Sequence, residues 1–362
     1  MLLSLKRLLF PVIPVFISAC SLEVNTDKDV PNLEKRLSEI FYMASLAPSA
    51  HNTQMYSVVI NPALKRVQIR LDNSRLLKVT DPLKRESTIS LGAYVRALEL
   101  AYLAYGYKTQ TNVYHDHVEL TYSHYQNADT QTQDQKLLAL MQKRHTDKRE
   151  FKTDKIDSSV LNEISLTYGN TEYLAYQSPK FTFFKDIFLR AFKKQSFDKT
   201  TAKELSDWMR FSDKETLTHK DGLSAELLGI TGVKKFFYYT FMDHDSVLKD
   251  SFATKSLDIA RTQANNCAGY LVLKSKSDSF DSLIKTGMTL YDLMLYLTGK
   301  DIAIQPLSAP LEDPLYRSLL ADKLHTQDSL QMILRIGYVD DYGKNNKLRR
   351  DLKDYLHVES SQ

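Results

Sequence analysis

The stretch Ala47-Pro48-Ser49-Ala50-His51-Asn52-Thr53-Gln54 concentrates groups that can do chemistry. A hydroxyl, an imidazole and two carboxamides fall within six residues, Ser49 to Gln54. Asn52 and Gln54 each present two N–H donors and a carbonyl acceptor. That set suits a planar ligand edge alternating acceptor, N–H and acceptor, such as the pyrimidine edge of a flavin. An ordinary helix end followed by turn residues would carry the same letters.

A second cluster is Arg144-His145-Thr146-Asp147-Lys148-Arg149-Glu150-Phe151. A guanidinium binds phosphate oxygens as a fork, a hydroxyl adds a donor and an ammonium adds charge. Arg144, Thr146 and Lys148 supply those three, and Asp147 would have to point away. A solvated basic helix–loop junction reads the same way. A third basic group, Arg349-Arg350, follows the apolar segment Gln331–Tyr338. It suits either a phosphate contact or an exposed helix start. His115 and His117 share a strand face with only Asp116 and Glu119 nearby, which fits an exposed polar face better than a metal site. We assign no metal. Cys20 and Cys267 are the only cysteines, which excludes a cysteine-rich zinc or iron–sulfur site. Cys267 reads as a buried structural thiol. The sequence holds no G-x-S-x-G elbow, no P-loop and no G-x-G-x-x-G, so a Rossmann-type bound nicotinamide is not expected.

The string APSAHNTQ resembles the A-P-S-x-H-N-T-Q-P-W signature of the FMN-dependent nitroreductase family, closest to its two-lobed Acg-type branch. RHTDKREF resembles that branch's R-x-T-x-R-R-P-F stretch. Asp81-Pro82, Arg85-Glu86 and Ile89-Ser90-Leu91-Gly92-Ala93 resemble its D-P-x-x-R-E-x-x-I-S-x-G-A helix start. Gln305-Pro306-Leu307-Ser308-Ala309-Pro310-Leu311-Glu312 resembles its late P-L-S-x-P-L-E turn. The resemblance implies an α+β layered, nitroreductase-like fold of two related halves, a fused pseudo-dimer in one chain. It implies one FMN between the halves. Pro48, Ser49, His51, Asn52 and Gln54 would come from lobe one, and Arg144, Thr146 and Lys148 from lobe two. Pro306, Leu307 and Ser308 would lie near flavin N5, with Arg349 or Arg350 at the phosphate. NAD(P)H would be a transient reductant and a small electron-poor molecule the acceptor. His51 is the candidate acid, because its pKa lies nearest neutrality; a structural role in the turn is its alternative. Two departures stand out: Met55-Tyr56 replaces Pro-Trp and would alter the pocket wall, and Glu150 replaces proline.

The elements that must position these groups follow from pattern. Leu33, Leu37, Ile40, Phe41 and Ala44 recur at helical spacing, and Pro48 ends that helix. Strands are predicted at 56–60, 67–71 and 113–122, with a helix over 87–105 ending at Gly106. Later come a strand at 270–273, a helix at 287–297 and a strand at 331–338. Gly92, Leu98 and Leu100 have counterparts in Gly287, Leu293 and Leu295 at one constant offset, a faint internal repeat. We divide the chain into lobe one, residues 33–125, a linker at 126–135, and lobe two, residues 136–362. Lobe two carries an aromatic-rich, lid-like insertion at about 175–255. The fused halves imply a monomer.

The chain has 362 residues, 25% of them charged, and a net charge of +4 without a concentrated basic stripe, so no nucleic-acid partner is implied. Lys6 and Arg7 precede an apolar run, Leu8 to Ala19, too short to span a bilayer. It reads as a signal peptide over residues 1–19, with a polar tether at 20–32. Ile17-Ser18-Ala19-Cys20 resembles a bacterial lipobox, which implies lipidation of Cys20 and a lipid-anchored protein in the cell envelope, with the periplasmic face of the outer membrane favoured. Without that signal the protein would be cytoplasmic. Free NAD(P)H is a cytoplasmic reductant, so an envelope location favours two alternatives to turnover. One is a lipoprotein that binds or stores flavin; the other is a flavin-free scaffold.

Overall fold

The computed structural model describes residues 25–124 and 134–359. The signal peptide, Cys20 and most of the 126–135 linker lie outside the described residues. The architecture is α+β. Two separate sheets flank a pair of long helices.

The first sheet contains β1 (Tyr56–Asn61), β2 (Arg66–Leu71), β3 (Tyr107–Val113) and β4 (His117–His124). Alternation puts Val58, Ile60, Val67, Ile69, Val118 and Leu120 on one buried face. The second sheet runs β5-β6-β8-β7, all antiparallel neighbours: β5 (Thr171–Ala175), β6 (Gly269–Ser275), β7 (Ala303–Pro306) and β8 (Ser329–Gly337). β9 (Leu356–Val358), the last strand, leaves this half and pairs in parallel with β1, Val58 opposite Leu356. The chain's end is therefore built into the first sheet, in the order β3-β4-β2-β1-β9.

The helices Arg85–Ala104 and Phe280–Gly299 form the centre. A Cβ on Gly92 would lie 2.1 Å from the Ile284 carbonyl oxygen, and one on Gly287 1.9 Å from that of Ile89. Ile284 and Gly287 stand 195 positions after Ile89 and Gly92. Each glycine meets the counterpart of its partner's isoleucine, the reciprocal pattern of a two-fold contact. The internal repeat is therefore a structural relation, and it sits where the two backbones touch. Leu98 and Leu293 are both fully buried nearby. Arg96 bridges the crossing, its Nε 2.8 and 3.0 Å from the Asp292 carboxylate oxygens.

Several expectations change. The strand expected over 113–122 is the second half of a hairpin: Gly106, at φ +83°, ends the helix, and Tyr107 opens β3. The Gln135–Lys143 helix, expected to open lobe two, buries Leu138 and Met141 in lobe one's core. Met55 and Tyr56 join that core as well, and Tyr56 stacks on Tyr94 at 4.0 Å. They shape no pocket wall. The aromatic middle divides in two. Phe181, Phe184 and Phe188 of the Pro179–Phe197 helix pack on the second sheet around Tyr270. Residues 199–247 build a separate small helical unit around Met209, Phe211, Leu223 and Val247. Cys267 is buried, and burial pushes its thiol up to about 11.

Candidate functional site

The octet begins where the Lys35–Ser45 helix stops. The carbonyls freed at that end are met by Arg349, whose guanidinium donates to Ser45 O, to Leu46 O at 3.0 Å and to Ala47 O at 3.3 Å. Ser49 Oγ accepts from Gln54 N at 3.1 Å and closes the turn. His51, Asn52 and Gln54 have φ of +47°, +53° and +51°, left-handed backbone that side chains other than glycine adopt at a cost. Tertiary hydrogen bonds hold it. Asn52 Nδ2 donates to Gly222 O at 3.4 Å and to Leu348 O at 3.3 Å. Gln54 Nε2 donates to Lys220 O at 2.9 Å, and its Oε1 accepts from Arg350 N at 2.9 Å. Arg350 donates to Gln54 O at 2.7 Å and Tyr56 O at 3.3 Å. Both carboxamides thus engage backbone from the 220–222 segment and the C-terminal tail.

Opposite them, the Gln135–Lys143 helix ends at Arg144, and an irregular loop carries Thr146 and Lys148. Arg144 is 2% exposed. It donates from Nη2 to Leu46 O at 2.7 Å and, among the described residues, meets no carboxylate; burial lowers its pKa to about 10. Burial also lowers Lys148, to about 8, and among the described residues Lys148 forms no ion pair. Asp147 lines the cleft as well, with both carboxylate oxygens accepting from Arg149 at 2.6 to 3.1 Å.

These walls enclose a cleft of about 460 Å³, within the ordinary range for a small-molecule site. Pro48, Ser49, His51 and Asn52 line one side. Arg144, Thr146 and Lys148 line another, and Pro306, Ser308 and Arg349 complete the set anticipated from sequence. Three anticipated residues stay outside. Gln54 and Arg350 are occupied with each other, and Leu307 is buried in the second core with its N–H on Ile333 O at 2.8 Å.

The structure adds residues that sequence reading missed. Glu86, in the first turn of a central helix, lines the cleft. Burial, and then the neighbouring Glu312 carboxyl, push its pKa up to about 8, so it keeps its proton at neutral pH. Glu312 is also raised, mainly by burial; Ser308 Oγ donates to it at 2.7 Å and Gln195 Nε2 at 2.6 Å. Gln305, the tail residues Lys344, Asn345 and Asn346, and Leu223, Glu226, Leu227, Gly229 and Thr231 of the small helical unit also line it. The Arg85-Glu86 pair was visible as part of a motif, but nothing in the sequence set its carboxylate opposite Glu312. The tail has no periodicity to read.

Among the described residues, four buried polar atoms in residues that line the cleft have no partner: Arg144 Nε, His51 Nδ1, Gln305 Oε1 and Glu226 Oε2. An unmet buried polar atom costs roughly 1–3 kcal/mol. Burial, then Lys148, lowers the His51 pKa to about 4, so its imidazole is neutral at pH 7. The cleft therefore offers a donor, two acceptors, a neutral imidazole and two cations that pair with no carboxylate among the described residues. The lining also carries the Glu86, Asp147 and Glu226 carboxyls, Asp147 held by Arg149 and Glu226 by Lys235.

No family model matches the chain, and no curated protein does. Among solved structures, the chain is similar to the FMN-dependent nitroreductase NfnB from Mycobacterium smegmatis in complex with NADPH, at 15% identity and a TM-score of 0.36, covering 62% of this chain and 96% of that one. At that level the likeness transfers neither a site nor an activity.

Proposed function

We propose that the protein is an FMN-dependent oxidoreductase of nitroreductase type, holding one flavin per chain in this cleft. The observation that carries the reading is a group of unmatched atoms lining it: among the described residues Arg144 and Lys148 pair with no carboxylate, and Arg144 Nε, His51 Nδ1 and Gln305 Oε1 have no partner. FMN is an anionic phosphate joined to an uncharged ring with alternating polar edges, so these residues fit it. Arg144, Thr146 and Lys148 would hold the phosphate; Pro48, Ser49, His51, Asn52, Gln305 and the Pro306–Ser308 turn would border the ring. Bound there, FMN would supply a two-electron carrier between a donor such as NAD(P)H and an electron-poor small molecule.

The chain's own residues do the rest. The lowered pKa of His51 makes it a hydrogen-bonding group at pH 7 rather than a source of protons. Glu86, which lines the cleft, keeps its proton at that pH. The clamp between the octet, residues 220–222 and the tail fixes the wall on which a ring would rest.

A second reading, a flavin-binding or flavin-storing envelope lipoprotein with little turnover, is favoured by one feature. Leu223, Leu227 and their neighbours from the small helical unit wall the cleft and narrow an acceptor's approach. Colour tests the shared premise: purified protein should carry flavin absorbance, and protein that stays colourless after FMN addition and desalting overturns both readings. Bleaching by NADPH under nitrogen, followed by reoxidation with a nitroaromatic, separates the enzyme from the store.

A further inference from the structure

The Gly232–Phe241 helix of the small unit has no buried residue. Val233, Phe236, Phe237 and Phe241 are 55, 57, 53 and 70% exposed. With 3.6 residues per turn, the four fall in one arc of about 140°. Phe237 stacks on Phe241, and Phe236 meets Phe237 edge-on. The helix is held by its other face. Lys235 pairs with Asp213 at 2.6 Å and with Glu226, Tyr238 packs on Phe211, and the Tyr239 hydroxyl accepts from Ala225 N. Its polar and tyrosine side is docked, while its most apolar side faces water. A contiguous aromatic face left bare on a folded protein marks a docking surface.

We propose that this face docks onto a lipid bilayer, with the three phenylalanine rings in the interfacial layer. Two observations choose the bilayer. The first is area. Three phenylalanines and a valine at these exposures offer on the order of 400 Å². A stable protein interface needs roughly 800 Å² from each partner. An interfacial helix meets no such threshold, because its binding scales with whatever apolar area it buries. The second is the path of the chain. Lys220 Nζ donates to Asn25 O at 2.8 Å, which ties the first described residue to this same unit. Lys220 caps the Asp213–His219 helix, whose Asp213 pairs with Lys235 on the aromatic helix. Cys20 precedes Asn25 by five residues, at most about 18 Å of chain. A lipid on Cys20 would therefore be tethered within that reach of the unit that carries the phenylalanines. Lys234, exposed beside them, can lay its stem on the acyl boundary and keep its ammonium at lipid phosphates.

The docked helix continues into the cleft wall. Leu223, Glu226, Leu227, Gly229 and Thr231 line the cleft, and this stretch reaches the helix through Gly229 and Gly232, at φ +75° and +57°. Docking brings that wall to the membrane surface. The proposal stands apart from flavin binding, since none of its residues is assigned to the cofactor.

The test uses residues 21–362, which contain every described element and no acyl chain. With vesicles of phosphatidylethanolamine and phosphatidylglycerol, the protein should co-sediment and remain bound at 0.5 M salt. Phe236→Ser/Phe237→Ser/Phe241→Ser should lose at least tenfold in vesicle affinity with unchanged circular dichroism and thermal midpoint. Val233→Ser alone should weaken binding less and serves if the triple variant misfolds. Wild-type protein that stays in the supernatant overturns the proposal, as does binding equally strong in the folded triple variant or lost entirely in high salt. Sedimentation equilibrium showing a tight dimer that the same substitutions dissolve would make the face a contact between copies and overturn it equally.

Discussion

The carboxamides of one cleft wall and the cations of the other are used in opposite ways. The octet looks richer in sequence, yet Asn52 and Gln54 are occupied with the backbone of residues 220–222 and 348–350. The Arg144–Lys148 loop looks like an ordinary basic junction, yet Arg144 is buried, Lys148 is half-buried, and among the described residues neither pairs with a carboxylate. A side chain that is already satisfied builds the site; one that is buried and unsatisfied waits for a ligand. Density of polar residues along the chain measures neither.

The contrast can be broken at its foundation. Gly287→Ala forces a methyl into the Ile89 carbonyl and should separate the central helices that hold both walls, costing more than about 4 kcal/mol. Denaturant unfolding checks it, and a cost under about 1 kcal/mol would mean that the crossing can relax.

On the octet side, Gln54→Ala leaves Arg350 N and Lys220 O unmatched in the interior. We expect a loss of about 2–4 kcal/mol in stability, read by urea unfolding. Arg144→Met should do the reverse. Stability should hold or rise, since an uncompensated buried charge is removed. FMN affinity in a fluorescence titration should fall by about ten- to a hundredfold, the worth of one charge-assisted contact, roughly 1.5–3 kcal/mol. Equal effects of the two substitutions on stability would erase the distinction between the walls.

Glu86 stands between these cases, buried and satisfied only while protonated. Its carboxyl is raised from 4.5 in the unfolded chain to about 8 in the folded one. The folded state therefore holds a proton that the unfolded chain has released, and stability falls as pH rises from about 4.5 to 8. Glu86→Gln fixes the neutral form. The variant's advantage over wild type should grow across that window to about 3 kcal/mol or more, read by unfolding at a series of pH values. Parallel curves would show that no proton is held there.

The smallest effect is at Lys148. An anion binds its protonated form, which the free protein loses above pH of about 8. FMN affinity should decline as pH rises from 8 to 10, and Lys148→Arg should flatten that decline. A flat wild-type profile would remove Lys148 from the phosphate site.

How much was legible follows the range of the forces involved. Local rules located most elements: Pro48 ended a helix, Gly106 took its left-handed φ, and alternation marked β1 and β2. The hairpin at 107–124 was half missed, because Tyr114 to Asp116 carry no glycine or proline to mark its turn. Ten of the thirteen residues anticipated for the cofactor line one cleft. Glu86 was not singled out, because a carboxyl's proton depends on the neighbour that folding brings to it.

By itself the sequence determined the α+β class, the internal repeat at Gly92 and Gly287, and the segments that border the cleft. Propensity, periodicity and steric fit act over a few residues, and residue type alone decides them. Only the tertiary structure decided which polar groups were left over. That depended on β9 crossing to the first sheet, on residues 220–222 reaching the octet, and on Arg349 closing a helix end some 300 positions away. Hydrogen-bond satisfaction and desolvation belong to the assembled interior, where a partner's identity is set by the fold and not by its distance along the chain.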